Sequence, residues 1–223
     1  MRTLFTWMMA AAICLVAPAT VAIAADKPVL TIYTYESFTS EWGPGPAIET
    51  AFEENCNCDL QFVSLDSSIG ILGRVQLEGA GSKADIVLGL DTNLMATARD
   101  TGLFAPHGTR LAGRTSLPVD FSDDMFVPFD WGHFAFVYNS ETMAQPPVSM
   151  QELVDAPESL RIVIQDPRTA TPGLGLLLWV KSVYGDDAPE AWAKLAPKIV
   201  TVTKGWWDAY SMFLEGEADM VLS

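Results

Sequence analysis

Apolar and polar positions along this chain predict strands and helices in alternation. Short apolar runs rich in β-branched residues predict strands at 29–34, 60–65, 84–90, 160–164 and 199–203. Amphipathic stretches between them predict helices at 46–52, 69–78, 93–100, 148–154, 187–195 and 207–214. This order predicts an α/β fold with mostly parallel sheets that helices cover on both faces. The aromatic-rich stretch 126–138 is predicted to be an extended segment that leaves one lobe and enters another.

The segment after the 160–164 strand combines a strand end, a turn and a helix start. Asp166-Pro167 breaks the apolar run, and Pro172 stands in the first turn of a long apolar helix. Either Thr169 or Thr171 is a suitable cap for that helix. Free backbone N–H groups at such a helix start can hold an anion. The same pattern also fits an ordinary strand-to-helix connection.

A short internal repeat suggests two similar halves. A Leu-Glu-Gly helix end at 77–79 precedes the run Ala-Asp-Ile-Val-Leu at 84–88, and the same order recurs at 214–216 and 218–222. Two similar lobes would face each other with the carboxyl ends of their strands, where ligands of open α/β sheets bind. Chance similarity is the alternative. The second copy ends at Ser223 directly after an apolar strand, so we expect the second lobe to continue beyond this sequence.

The first 24 residues have the features of a secretory signal peptide. Arg2 gives a positive start, an uncharged apolar stretch follows, and Ala22-Ile23-Ala24 is a small-x-small cleavage site. The apolar stretch is too short for a transmembrane anchor, so we expect no direct membrane insertion. The predicted organisation is a signal peptide at 1–24, a first lobe at 25–132 and an incomplete second lobe at 133–223.

The mature chain is strongly acidic. The sequence has 13 Lys and Arg against 28 Asp and Glu, and loss of Arg2 with the signal peptide changes the net charge from −15 to −16. This balance argues against a nucleic-acid partner and favours solubility. Cys56 and Cys58 remain after cleavage, and an exported protein meets conditions in which they can pair, although the Cys-x-Cys loop is tight. A metal site is the weaker alternative because no third soft ligand lies nearby.

Several blocks of the chain, in order, resemble one family. They are 27–38, Trp42 to Pro46, Cys56-Asn57-Cys58, 82–91, 126–130, 165–169, 171–178, 184–189 and 201–206. The sequence is similar to the periplasmic thiamine-binding proteins of bacterial ABC importers. The resemblance implies a two-lobed type 2 periplasmic binding fold in which each lobe is a mixed sheet flanked by helices. It also implies a non-catalytic periplasmic receptor without a cofactor, whose ligand is thiamine or a thiamine phosphate and whose partner is an inner-membrane ABC permease.

The resemblance assigns aromatic pocket residues. Trp206 matches the family's stacking tryptophan, and an aromatic face suits the thiazolium cation. Trp207, at helical spacing to Tyr210, is the better core candidate, while the glycine before Trp206 favours exposure. Tyr35 matches a pocket tyrosine at the end of the first strand. A half-buried strand residue with a bonded hydroxyl is the alternative for Tyr35.

Polar positions of the family match less completely. Ser67 and Ser68 stand where the family commonly has Asp-Gly, which removes a charge but keeps hydrogen-bonding groups. Ala170 and Thr171 match a Ser-Thr pair near the phosphate, and alanine loses one hydroxyl. Asp91, after the third strand, either faces the cation or caps the helix that follows.

Two other function classes remain as alternatives. Thiaminases share this general fold and use a cysteine nucleophile, but Cys56 and Cys58 lie among acids and away from the predicted cleft. A receptor for another cation, such as a polyamine or ferric iron, is the second. Iron favours clusters of tyrosines or carboxylates, and the sequence has only one tight tyrosine pair, Tyr33 with Tyr35, which argues against iron. The composition does not exclude a polyamine as the ligand.

Overall fold

The computed structural model describes residues 27–109, 117–118 and 120–223. The predicted signal peptide therefore lies outside the described residues. Within the described ranges, none of the helices combines the length and apolar character that a bilayer crossing requires.

The described ranges contain seven strands, eight α-helices and three short 3-10 helices. The strands are β1 Val29–Tyr35, β2 Asp59–Leu65, β3 Ile86–Val87, β4 Phe136–Tyr138, β5 Ile162–Gln165, β6 Ile199–Thr203 and β7 Met220–Leu222. The helices are α1 Glu36–Thr39, α2 Gly45–Cys56, α3 Ser68–Glu78, α4 Met95–Asp100, α5 Met150–Asp155, α6 Thr171–Tyr184, α7 Ala188–Leu195 and α8 Trp206–Leu214.

The strands form two separate sheets, each the centre of one lobe. The N-terminal lobe has the order β2-β1-β3, and both pairings are parallel. The C-terminal lobe has the order β4-β7-β5-β6, in which β5 pairs in parallel with β6 and β7 while β4 is antiparallel to β7. This is the predicted α/β architecture of two lobes.

Side-chain alternation along β5 explains how helices cover both faces of the second sheet. Ile162 and Ile164 face a core made by α5, α6 and α7, whereas Val163 faces Ala209 of α8. All four residues are buried, as expected for a strand between two helical layers. In the N-terminal lobe, Tyr33 packs with residues of α3.

Some predicted boundaries differ from the structure. Helix α2 continues to Cys56, beyond the predicted end at 52. The predicted third strand at 84–90 contains only the two residues of β3, and the backbone at Gly89 turns to a φ of 106°. In the predicted extended segment 126–138, only β4 is a strand, and the backbone of Ala135 just before it exchanges two hydrogen bonds with Ser223.

The internal repeat is a real structural repeat in which an aspartate ties two parallel strands together. Asp85 precedes β3, and its carboxylate accepts a hydrogen bond from the N–H of Thr31 in β1 at 2.8 Å. Asp219 precedes β7 and accepts from the N–H of Arg161, just before β5, also at 2.8 Å. In each lobe the aspartate's own N–H donates back to the carbonyl of that same residue. The two Ala-Asp sequences therefore set the register of equivalent strand pairs.

Cys56 and Cys58 form a disulfide at the C-terminal end of α2. Asn57 between them has a φ of 52°, the left-handed conformation that asparagine tolerates well at a helix end. The disulfide therefore closes the turn that leads from α2 into β2.

We expect Asp219→Ala to lower the free energy of unfolding by about 1–3 kcal/mol, since it leaves the Arg161 N–H without its partner. Urea denaturation followed by circular dichroism measures this loss. Asp186→Ala is the control, because the Asp186 side chain is fully exposed and its pairing with Lys181 contributes little. A loss as large in the control would contradict the role given to Asp219.

The stabilisation by Asp219 should also depend on pH. Burial alone would raise the pKa of Asp219, but hydrogen bonds and the charge of Arg161 lower it. The contribution is therefore complete above the unfolded pKa, about 3.9, and is lost as the pH falls through the lowered folded value. Denaturation between neutral and acidic pH should show a smaller loss of stability in Asp219→Ala than in the unchanged protein.

Candidate functional site

Three helix N-termini lie where the two lobes meet. Helix α3 follows β2 in the N-terminal lobe, while α6 and α8 follow β5 and β6 in the C-terminal lobe. Each begins at the carboxyl end of a parallel strand, and the first turns are linked by direct contacts across the lobes. The N–H groups of a first helical turn have no partner within the helix, so this region offers donors to an anion.

Thr171, the first residue of α6, bonds two residues of the other lobe. Its hydroxyl donates to the carboxylate of Asp91 at 2.5 Å, and the hydroxyl of Ser68 lies 3.0 Å from the Thr171 hydroxyl oxygen. Since the Thr171 proton goes to the carboxylate, Ser68 is the donor in the second contact. The structure thus brings together three of the predicted site residues.

Asp91 does not cap α4, the alternative that the sequence left open. The N-cap of α4 is Leu94, and the second carboxylate oxygen of Asp91 accepts from the N–H of Asn93 at 2.8 Å. The carboxylate is half-buried and forms no ion pair within the described part of the chain. Its negative charge is therefore available to a cation.

Ser67 and Ala170 occupy the cap positions of α3 and α6. The buried Ser67 hydroxyl accepts from the N–H of Gly70 at 3.2 Å, so it serves its own helix. The prediction that Thr169 or Thr171 caps α6 is wrong, because Ala170 holds the N-cap and provides no side-chain oxygen. Thr169 instead donates to the carbonyl of Lys204 at 2.7 Å.

A second contact between the lobes joins the loops that precede α3 and α8. The ammonium of Lys204 forms an ion pair with the carboxylate of Asp66. The hydrogen bond from Lys204, with its charge, lowers the pKa of Asp66, and the pKa of Lys204 is raised in turn. Beside this pair, a Cβ added at Gly205 would lie 3.1 Å from the carbonyl oxygen of Asp66.

Trp206 belongs to an aromatic cluster with members from both lobes. Its indole stacks on Tyr210, with ring centroids 4.6 Å apart, and its Nε1–H donates to the Ser223 hydroxyl at 3.0 Å. Trp42 of the N-terminal lobe lies 6.0 Å from the Trp206 ring and 5.1 Å from the Trp207 ring. The prediction that Trp207 is the core residue and Trp206 the exposed one is wrong, because Trp207 is exposed while Trp206 is half-buried. Trp206 is the more buried of the two because its ring stacks on Tyr210, which lies four residues later on the same face of α8.

Tyr35 is half-buried at the last position of β1. Its ring meets the edge of Phe38 at 5.8 Å and packs so closely on Gly89 that an added Cβ would lie 2.4 Å from it. Burial, and secondarily the carboxylate of Asp130, raises the pKa of Tyr35. The hydroxyl therefore remains protonated and able to donate at neutral pH.

Sequence reasoning missed Trp42, Asp66 and Lys204. Trp42 had a usable signal, since a large aromatic residue in a Gly-Pro turn has no helix or strand to bury it. Asp66 and Lys204 carried none, because 138 residues separate them and each reads as an ordinary charged loop residue.

The cysteines and histidines of the described residues all contact other groups of the protein. Both cysteines of the described ranges are in the disulfide. His107 contacts the carbonyl of Asp123 and the N–H of Thr109, and His133 packs on Trp131. No group of three or more potential metal ligands occurs in the part of the chain that the structure describes.

The chain matches the family model of bacterial extracellular solute-binding proteins over residues 39–223. It is 56% identical to the thiamine-binding periplasmic protein of Escherichia coli over 197 residues, which are 88% of this chain and 60% of that protein. A relative of the same name in Haemophilus influenzae is 45% identical over 206 residues, 92% of this chain and 61% of the relative. The chain thus spans about three fifths of the length of these curated relatives.

Solved structures show the same relationship. A periplasmic thiamin-binding protein superimposes with a TM-score of 0.84 at 56% identity, covering 88% of this chain and 62% of the other. A periplasmic binding protein from Actinobacillus pleuropneumoniae gives a TM-score of 0.72 at 19% identity over 89% of this chain and 64% of the other, which shows the fold alone. The fold is thus the two-lobed type 2 periplasmic binding fold, and the chain belongs to the family of bacterial extracellular solute-binding proteins.

Proposed function

We propose that this protein is a periplasmic receptor that binds thiamine between its lobes and delivers it unchanged to an inner-membrane ABC permease. The observation that carries the proposal is that a surface suited to an aromatic cation lies between the lobes of a chain 56% identical to the E. coli thiamine-binding periplasmic protein. Residues 25–132 would form the first lobe and 133–223 part of the second, with no cofactor required.

Three groups of the interlobe surface would suit thiamine and support the proposal. Trp206, fixed by Tyr210 and by its bond to Ser223, offers an aromatic face for the thiazolium cation. The carboxylate of Asp91 adds a negative charge, and the protonated hydroxyl of Tyr35 adds a donor at the same sheet edge.

Thiamine phosphates are the second part of the proposed ligand class. The first turns of α3 and α6 meet at Ser68 and Thr171, where their N–H groups suit an anion. The N–H of Ala170 already donates to the carbonyl of Asp166 at 2.9 Å, and Pro172 has no N–H. Fewer donors are therefore present than the serine and threonine pair of the similar family would supply.

Binding and release would follow from movement of the lobes about the segment near Phe129 to Phe136. Ligand that contacts both lobes favours the closed form, and a permease can distinguish that form from the open one. The aromatic contact of Phe129 with Phe38, at 5.6 Å, holds one end of the segment on the N-terminal lobe.

We expect calorimetry of the complete protein to show one site for thiamine and for its mono- and diphosphate, with heat of binding absent for spermidine. The preference for spermidine over thiamine would support the polyamine alternative instead. Chromatography of the same mixtures should recover thiamine intact, since both described cysteines are paired. Recovery of cleaved thiamine would contradict the receptor proposal and indicate a thiaminase-like activity instead.

Trp206→Ala should weaken thiamine binding by about 1–3 kcal/mol, because it removes the stacking face. Trp206→Phe should recover part of this loss, since it keeps an aromatic ring. Titration followed by calorimetry measures the three dissociation constants.

Trp192→Ala is the control for this experiment. Trp192 packs against the core of the C-terminal lobe and lines an outer groove with Leu177 and Leu178. The Trp192→Ala variant should be less stable than the unchanged protein but should have the same dissociation constant for thiamine. Equal affinity of the unchanged protein and Trp206→Ala would reject the role of Trp206.

A further inference from the structure

The ion pair between Asp66 and Lys204 lies beside the proposed binding surface without being part of it. Asp66 directly precedes Ser67 and Ser68, and Lys204 is separated from Trp206 only by Gly205. The two residues come from different sheets, at the end of β2 and the end of β6. The pair can therefore form only when the lobes are together.

The backbone around the pair is fixed on the C-terminal side. The carbonyl of Lys204 accepts from the Thr169 hydroxyl at 2.7 Å, which ties the loop before α8 to the loop before α6. Gly205 allows the backbone of Asp66 to come within reach, since a side chain at 205 would crowd its carbonyl. The ammonium is thus positioned by the local fold, and the approaching lobe supplies its partner.

Negative charges near Lys204 also favour the arrangement in which the two lobes are together. Besides Asp66, the carboxylates of Asp208 in the first turn of α8 and of Glu36 in α1 contribute to the raised pKa of Lys204. Glu36 and Asp66 belong to the N-terminal lobe, so opening would separate Lys204 from two of its three acidic neighbours. In a chain with a net charge of −15, this cation offsets repulsion where the lobes approach.

We propose that Asp66 and Lys204 form an electrostatic latch that stabilises the closed lobes and thereby slows ligand release without touching the ligand. They are positioning residues for the proposed receptor function, on which this inference rests. Both side chains are about half exposed, at 47% and 64%, so the latch is weak and sensitive to salt. A weak latch suits a receptor that must open again at its permease.

A double-mutant cycle on the complete protein tests the latch. Asp66→Asn and Lys204→Met should each raise the dissociation constant of thiamine about two- to five-fold through faster release. The double variant should be no worse than either single one, because either change alone already removes the ion pair. Salt at about 1 M should weaken binding to the unchanged protein towards that of the variants, whose own affinity changes less.

The matched control is the ion pair of Lys194 with Asp155, which is similarly exposed, at 60% and 50%, but lies within the C-terminal lobe. Lys194→Met and Asp155→Asn should leave the dissociation constant and its salt dependence unchanged. Additive effects of the Asp66 and Lys204 variants, or an equal change in the control, would overturn the proposal.

Lobe closure without ligand separates this inference from the proposed function. Spin labels attached through Thr50→Cys in α2 and Glu190→Cys in α7 report the distance between the lobes. The short-distance population should fall in Lys204→Met relative to the unchanged protein, even if thiamine is not the ligand. Identical distance distributions would reject the latch, whereas a protein that closes but ignores thiamine and its esters would reject only the proposed function.

Discussion

The parallel pairing of strands within each lobe is the constraint on which the candidate site depends. In a parallel sheet every strand ends at the same edge, so the turns that follow β1, β2 and β3 lie side by side. The turns after β5 and β6 do so in the other lobe. Helices that start at these turns present their N-termini there, which places donors, carboxylates and aromatic rings between the lobes. The aspartates at 85 and 219 maintain this arrangement because they fix the pairing of the last strand to its neighbour in each lobe.

Much of this arrangement could be predicted from local sequence. Tyr35, Asp91 and Thr171 stand at or after the ends of predicted strands, which the hydrophobic pattern alone locates, whereas the family resemblance supplied the pocket roles of Tyr35 and Thr171. The Ala-Asp repeat was also visible and corresponds to equivalent hydrogen bonds in the structure. These features depend on neighbours in sequence or on one adjacent strand, and so the pattern of residues contains enough information to locate them.

Features that depend on how one lobe meets the other could not be predicted in the same way. The approach of Trp42 to Trp206 and the pairing of Asp66 with Lys204 join segments that share no local pattern. The prediction of the residue that caps α6 was wrong for a different reason. Two threonines with good intrinsic capping ability flank Ala170, but the hydroxyl of Thr169 bonds the Lys204 carbonyl and that of Thr171 bonds Asp91. Tertiary partners thus outweighed the local preference.

The shared aromatic cluster has an optical consequence. Trp42 belongs to one lobe and Trp206 and Trp207 to the other, with ring centroids only 5.1–6.0 Å apart across the boundary. Indole transitions at such separations couple to each other and produce a paired positive and negative band in the ultraviolet circular dichroism spectrum. That coupling weakens steeply as the rings separate. The molecule therefore contains an intrinsic group of chromophores whose spectrum would report any separation of the lobes without an attached dye.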